Sequence, residues 1–294
     1  MAIVAVEVLT TYWRTPPAEL FHLASSGPDV GIHQALGILA FPTGLFAVAI
    51  AAIAVDQLPD RRAVVAAIAT AILGVMVFLP GGLDETDLDA RPVTLLPLVG
   101  VAGALGLTLL AVHRCGVGRF GPRLPGDCLR VGFGIALLVI GLPWMAADVG
   151  LSLDIVPGLG QVYLSDVVSS QPSSPAPYQA VHDGHHHGMD GVLIAAVALL
   201  LARSLVRMRS VRRRRLVSAY LSVLLVYGMA NALEDAWVEQ IVKRGWASWE
   251  PPKFQRPGLS VAWAGLTVTV VVVHATLLRG GRVLNRDVAL PDTK

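Results

Sequence analysis

Seven stretches of mainly apolar residues, near 33–55, 63–80, 92–113, 129–148, 189–206, 216–240 and 260–278, constrain this chain more than any other feature. Wound as α-helix, a run of about 20 residues matches the ~30 Å hydrocarbon core of a bilayer. Hydrophobic residues make up 54% of the chain and charged ones 15%, well short of the roughly one quarter typical of soluble domains. The expectation is an all-α, polytopic membrane helix bundle of about seven transmembrane helices. Pro42, Pro97 and Pro143 fall within these stretches and are tolerable there, because packed neighbours satisfy the freed backbone. Gly100, Ala102, Gly103, Ala104 and Gly106 make the third stretch rich in small residues, which suits close helix packing.

The arginines give the bundle a direction. With the N-terminus outside and the C-terminus cytoplasmic, 17 of the 23 basic residues fall in cytoplasmic segments, seven of them between Arg203 and Arg215. Arg14, Arg91, Lys243, Arg244, Lys253 and Arg256 fall outside. That asymmetry is what the positive-inside rule requires. The resulting division is an extracytoplasmic N-terminal segment at 1–32, a seven-helix domain at 33–280 with a long external loop at 149–188, and a cytoplasmic tail at 281–294. The run Met1–Leu9 lacks a basic n-region, carries Glu7 and is soon followed by Pro16-Pro17, so it reads as a surface-lying or re-entrant segment rather than a cleavable signal.

Partners follow from the same charge pattern. A net charge of +2 argues against nucleic acid, and Arg212–Arg215 at a membrane boundary suit anionic lipid headgroups. The preference for Arg over Lys, with the Ala, Gly and Val richness, points to a bacterial plasma membrane. Cys115 and Cys128 flank a loop on the cytoplasmic side, where two plain thiols are expected rather than a disulfide.

The densest chemistry lies just before the fifth stretch, in His182-Asp-Gly-His-His-His-Gly-Met-Asp190. Imidazoles and carboxylates together suit a divalent transition metal: zinc, copper, nickel or iron. The candidate ligands are His182, Asp183, His185, His186, His187 and Asp190. A helix would place His186 one turn from Asp190, whereas Gly184, Gly188 and Gly191 suit a loop equally well. The plain alternative is a solvated loop end that binds nothing.

Other polar residues fall at the same outer level. His33 opens the first stretch and Asp148 ends the fourth. On the sixth, Tyr227, Asn231, Asp235 and Glu239 recur every four residues as one stripe, with Glu234 beside it. Acids within a membrane span are costly and normally face the bundle interior or a watery cavity. Asp148, Glu234 and Asp235 are therefore further candidate ligands, and Glu234 or Asp235 the candidate general base if the site is catalytic. Haem is not expected. His113 and His274 are the only pair at the cytoplasmic side, and histidines at that depth serve as ordinary polar anchors.

No HExxH pair, GxSxG elbow or phosphate-binding loop is present. Three functions remain from these residues. The first is an outer-facing site that binds, senses or takes up a divalent transition metal. The second is a membrane metalloenzyme acting on a lipid or quinone-like substrate at the outer leaflet. The third is a non-catalytic subunit of a larger membrane complex. Below Tyr227 the sixth stretch is mostly apolar, which favours binding over transport.

Overall fold

The computed structural model describes residues 30–58, 60–79, 93, 95–116, 127–148, 168–169, 178–179, 186–242, 246–254 and 257–278. Of these, His33, Asp148, His186, His187 and Glu239 are placed by their backbone alone. Seven α-helices occur among the described residues: α1 (Val30–Gln57), α2 (Arg61–Val75), α3 (Leu95–Cys115), α4 (Asp127–Asp148), α5 (His186–Ala202), α6 (Val211–Trp237) and α7 (Val261–Val273). Short 3-10 turns extend α2 through Met76–Phe78 and α5 through Arg203–Arg207, and π-helical turns extend α6 through Val238–Val242 and α7 through His274–Leu278. The only strands among the described residues are Val168–Ser169 and Tyr178–Gln179, an antiparallel pair with Val168 opposite Gln179.

Among the described residues four helices are long and apolar enough to cross a membrane, over Ala40–Gln57, Arg61–Phe78, Leu95–Cys115 and Val211–Trp237. Their packing agrees with that setting. On α2 the residues Val65, Ile68 and Ile72 are exposed, on α3 Leu95, Val99, Leu105 and Leu109, and on α4 Leu129, Val131, Phe133 and Ile135. Water-soluble proteins rarely leave such contiguous apolar faces uncovered, whereas lipid covers them. The helices therefore belong to a membrane-embedded bundle.

α5 and α6 form the most extensive helix pair, and α1, α2 and α3 form a mutually packed group. α1 joins the two by touching α5 and α6, while α4 packs on α5 and α7 on α6. The core accordingly has two parts. One joins Phe41, Leu45 and Phe46 of α1 to Val192, Ile194, Leu221 and Leu224 of α5 and α6. The other is alanine-rich and joins Ala47, Ala51 and Ala54 of α1 to Ala63 and Ala67 of α2 and Ala104 of α3. In this second part Gly44, Gly74 and Gly100 let the backbones meet: a Cβ at Gly74 would lie 2.5 Å from the Gly44 carbonyl oxygen.

Polar contacts gather the helix ends at one side of the bundle. Cys115 Sγ at the end of α3 donates to the Gln57 carbonyl at the end of α1 (3.4 Å), and Arg114 approaches Asp60 at the start of α2 (3.8 Å). Asp127 at the start of α4 meets Arg203 after α5 (3.4 Å). Asp56, near the end of α1, accepts hydrogen bonds from the backbone N–H groups of Arg209 and Ser210 and pairs with Arg213 Nε at 2.9 Å. Its carboxylate thus sits at the N-terminus of α6, the positive end of that helix dipole. Ser210 caps the same helix by accepting from Arg213 N (3.3 Å). Successive helices from α1 to α6 therefore run in alternate directions. α7 continues the pattern, since Trp263 near its start meets Tyr227 and His274 at its end meets Ser218 and Ser222.

Candidate functional site

The described part of the site lies where α5 crosses α6, at the end of the bundle away from the arginines. Gly228 is 17 residues beyond Val211, which is about 26 Å along the helix. The crossing is made by two glycines. A Cβ on Gly191 would lie 2.6 Å from both the Gly228 carbonyl oxygen and the Ala232 nitrogen, and one on Gly228 would lie 2.6 Å from the Gly191 carbonyl oxygen. Real Cβ atoms do not approach backbone that closely, so each position takes only glycine without a shift of the helices.

This contact positions the polar residues. Asp190 precedes Gly191, and the Asn231 Cβ lies 3.1 Å from where a Gly191 Cβ would be. Asp235 follows Asn231 by one turn, about 5.4 Å. All three are buried, with relative exposures of 4% for Asp190, 2% for Asn231 and 2% for Asp235. Tyr227, one turn before Asn231, is within electrostatic reach of Asp190. Its ring is held edge-on by Phe41 (6.4 Å) and Phe78 (6.4 Å) and tilted against Trp263 (6.1 Å). An aromatic cluster thereby joins α1, the turn after α2, α6 and α7 beside Asn231.

The remaining candidates divide as follows. His182, Asp183 and His185 lie outside the described residues. The α5 backbone begins at His186 and His187, so positions 186 and 190 are one helical turn apart, and Gly188 and Gly191 belong to the helix rather than to a loop. Glu234 is half-buried, as its place 100° around the helix from Asp235 predicts. Asp148 is the last residue of α4, His33 lies in the first turn of α1, and Glu239 lies in the π-helical turn after α6. Among the described residues no three His, Cys, Asp or Glu side chains converge as a metal-ligand set.

Beyond α6, Trp249 packs back on the helix end. Trp237 Nε1 donates to its carbonyl oxygen at 3.0 Å, and the two rings meet edge-on at 5.7 Å. Trp246 and Trp249 stay exposed there.

A second polar group lies nearer the arginines. Ser222 is fully buried and its hydroxyl donates to the Ser218 carbonyl at 2.9 Å, which uses its one hydrogen. His274 Nδ1 lies 3.3 Å from Ser222 Oγ and 3.4 Å from Ser218 Oγ. With the Ser222 hydrogen given to Ser218, a neutral ring donates from Nδ1 to Ser222 and keeps its lone pair on Nε2. Ser222 and Asn231 are nine residues apart, which is about 180° around the helix. The two polar groups occupy opposite faces of α6 and form no continuous polar path along it. His113 is exposed on α3, a helix with no substantial packing against α7.

The sequence alone did not single out Gly228, Asp56, or the pairing of His274 with two serines. Each depends on which helices meet, and only the small side chain of Gly228 hinted at close approach. No known family model, curated protein or solved structure matches the chain.

Proposed function

We propose that the protein is a multi-pass membrane protein of seven spans that binds a divalent transition metal on the extracytoplasmic side. The reading rests on one observation: two carboxylates, Asp190 and Asp235, are buried in the membrane bundle at the closest helix crossing around the site. An ionised carboxylate loses several kcal/mol of hydration on such burial, roughly, and needs a cation or good hydrogen bonds in exchange. A bound divalent ion would supply that compensation at Asp190 Oδ1 and Asp235 Oδ2, one buried oxygen of each carboxylate. His186, one turn before Asp190, extends the ligand set, and His182, Asp183, His185 and His187 precede or adjoin it in the chain. Asp148 and Glu234 stand at the same end as supporting or alternative ligands.

In the proposed orientation the arginine-rich end faces the cytoplasm of a bacterial cell, and the N-terminus and the site face outward. Arg212, Arg214 and Arg215 meet anionic headgroups, while Arg213 is engaged by Asp56. The opposite placement of the Ser222 and Asn231 groups on α6 favours binding or sensing over uptake.

The test is elemental analysis of the full-length protein purified in lipid nanodiscs, with and without Asp190→Asn, Asp235→Asn and replacement of His185, His186 and His187 by Ala. Near-stoichiometric metal that the substitutions remove supports the reading. No bound metal after equilibration with Mn, Fe, Ni, Cu and Zn salts sinks it.

A further inference from the structure

We infer that Asn231 is itself a ligand of this site, and that its amide oxygen biases the site toward oxygen-preferring divalent ions of the Mn2+ class over Zn2+ and Cu2+. This deepens the metal-binding reading and rests on it.

The orientation of the Asn231 amide is fixed by its own helix. Nδ2 donates to the Tyr227 carbonyl at 2.9 Å. Exchanging the two ends of the amide would set a carbonyl oxygen against a carbonyl oxygen, so Oδ1 is the end turned away from the Tyr227 carbonyl. Oδ1 is fully buried and accepts no hydrogen bond. Back-bonding to the preceding turn explains the nitrogen of this side chain and leaves the oxygen unexplained. Buried acceptors of this kind are few in native proteins, and an ion is one of the things that satisfies them.

The neighbours point the same way. The Asn231 Cβ adjoins Gly191, next to Asp190, and Asp235 stands one turn further along α6. The polar groups that adjoin Gly191 on α5 and share one face of α6 are two carboxylates and a carboxamide carbonyl, an oxygen set. Carboxylate and carbonyl oxygens suit Mg, Ca and Mn, whereas thiolates and clustered imidazoles select zinc and copper.

The experiment compares Mn2+ and Zn2+ binding to the full chain in nanodiscs, by Mn2+ paramagnetic resonance and by calorimetry, for the native protein, Asn231→Ala, Asn231→Asp and Asn231→His. Asn231→Ala is expected to weaken Mn2+ binding by on the order of 10- to 100-fold with little effect on Zn2+ held by the histidines. Asn231→Asp keeps the shape and adds charge, so it should hold Mn2+ at least as tightly as Asn231. Asn231→His should reverse the preference toward Zn2+. Should Asn231→Ala fail to fold, the Asp and His variants still read the ligand role through the Mn2+/Zn2+ ratio. A native protein that binds Zn2+ but not Mn2+, or a ratio unchanged in all folded variants, overturns this inference and leaves the metal-binding reading standing. Absence of both metals from the native protein overturns both.

Discussion

The crossing of α5 and α6 makes a demand that can be tested at two residues. Ordinary Cβ contacts begin near 3.4 Å, whereas a Cβ on Gly191 would meet the Gly228 carbonyl oxygen at 2.6 Å and one on Gly228 would meet the Gly191 carbonyl oxygen at 2.6 Å. Each obstacle is backbone, which cannot turn aside as a side chain can. Gly191→Ala or Gly228→Ala must therefore move the helices apart by about 0.8 Å, at a typical overpacking cost of about 1–3 kcal/mol. A separation that relieves one methyl relieves much of the other. The double variant should then lose less than the sum of the singles, with a coupling of about 1 kcal/mol or more. Gly265→Ala is the control, because a Cβ there meets nothing within 4 Å. Unfolding by increasing SDS fraction in mixed micelles measures all four proteins. Metal affinity, measured in parallel, should fall in the two singles, because Asp190 and Asn231 are held together by this contact. Two singles within ~0.5 kcal/mol of the native protein, the range of a neutral surface change, would refute the close crossing and with it the placement of the site.

Four further outcomes follow from the other end of the bundle. Asp56→Ala deprives two backbone N–H groups and Arg213 of a buried acceptor and should cost about 2–4 kcal/mol, short of a fully buried pair because Arg213 is 38% exposed. Asp60→Ser, which keeps the cap on α2 and loses only the exposed pair with Arg114, should cost ~0.5 kcal/mol or less by the same unfolding measurement. Cys115 and Cys128 are exposed free thiols beside the arginine-rich end. A membrane-impermeant maleimide should label them in inverted vesicles and not in intact cells, and the reverse pattern would invert the proposed orientation. Nitrogen-15 NMR of labelled His274 should find the neutral ring protonated on Nδ1, a preference weakened in Ser222→Ala; a ring protonated on Nε2 would contradict the donor assignment to Ser222.

What the sequence made legible was set by the bilayer and by helical periodicity. The described helices fall on the apolar stretches within a few residues, because hydrocarbon thickness fixes a minimum apolar length. Where they differ, the reason is physical. The sixth stretch begins in sequence near 216, yet α6 starts at Val211. Arg212–Arg215 are helical but charged, and composition marks where hydrocarbon begins rather than where the helix begins. The four-residue stripe correctly foretold that Asn231 and Asp235 share a face, and both are buried. The glycines were ambiguous, since Gly188 and Gly191 suit a loop as readily as a helix crossing until the partner helix is known. Asp56 does not stand out in the sequence, because its partners at Arg209, Ser210 and Arg213 are more than 150 residues away. Contacts between helices leave no periodic mark in one chain, and the pairing of Ser222 with His274 is of the same kind.

Stability alone does not account for the polar side chains at the crossing. Replacing buried ionic groups by apolar ones of similar volume is often neutral or stabilising. Around Asp190 the chain has done that elsewhere: Val192, Ile194, Ala195 and Ala198 of α5 are buried apolar residues in the same core. The glycine contact already brings the two backbones together without help from a carboxylate. Against that background Asp190, Asn231 and Asp235 put buried oxygen atoms on two adjoining helices, and Nδ2 of Asn231 is committed to its own helix. The proposed cation would take up Asn231 Oδ1, a buried oxygen that accepts no hydrogen bond. The proposed ligand therefore has a second consequence: where it binds, it should raise the unfolding resistance of the native protein, and Asp190→Asn or Asp235→Asn should reduce that gain while costing the metal-free protein little.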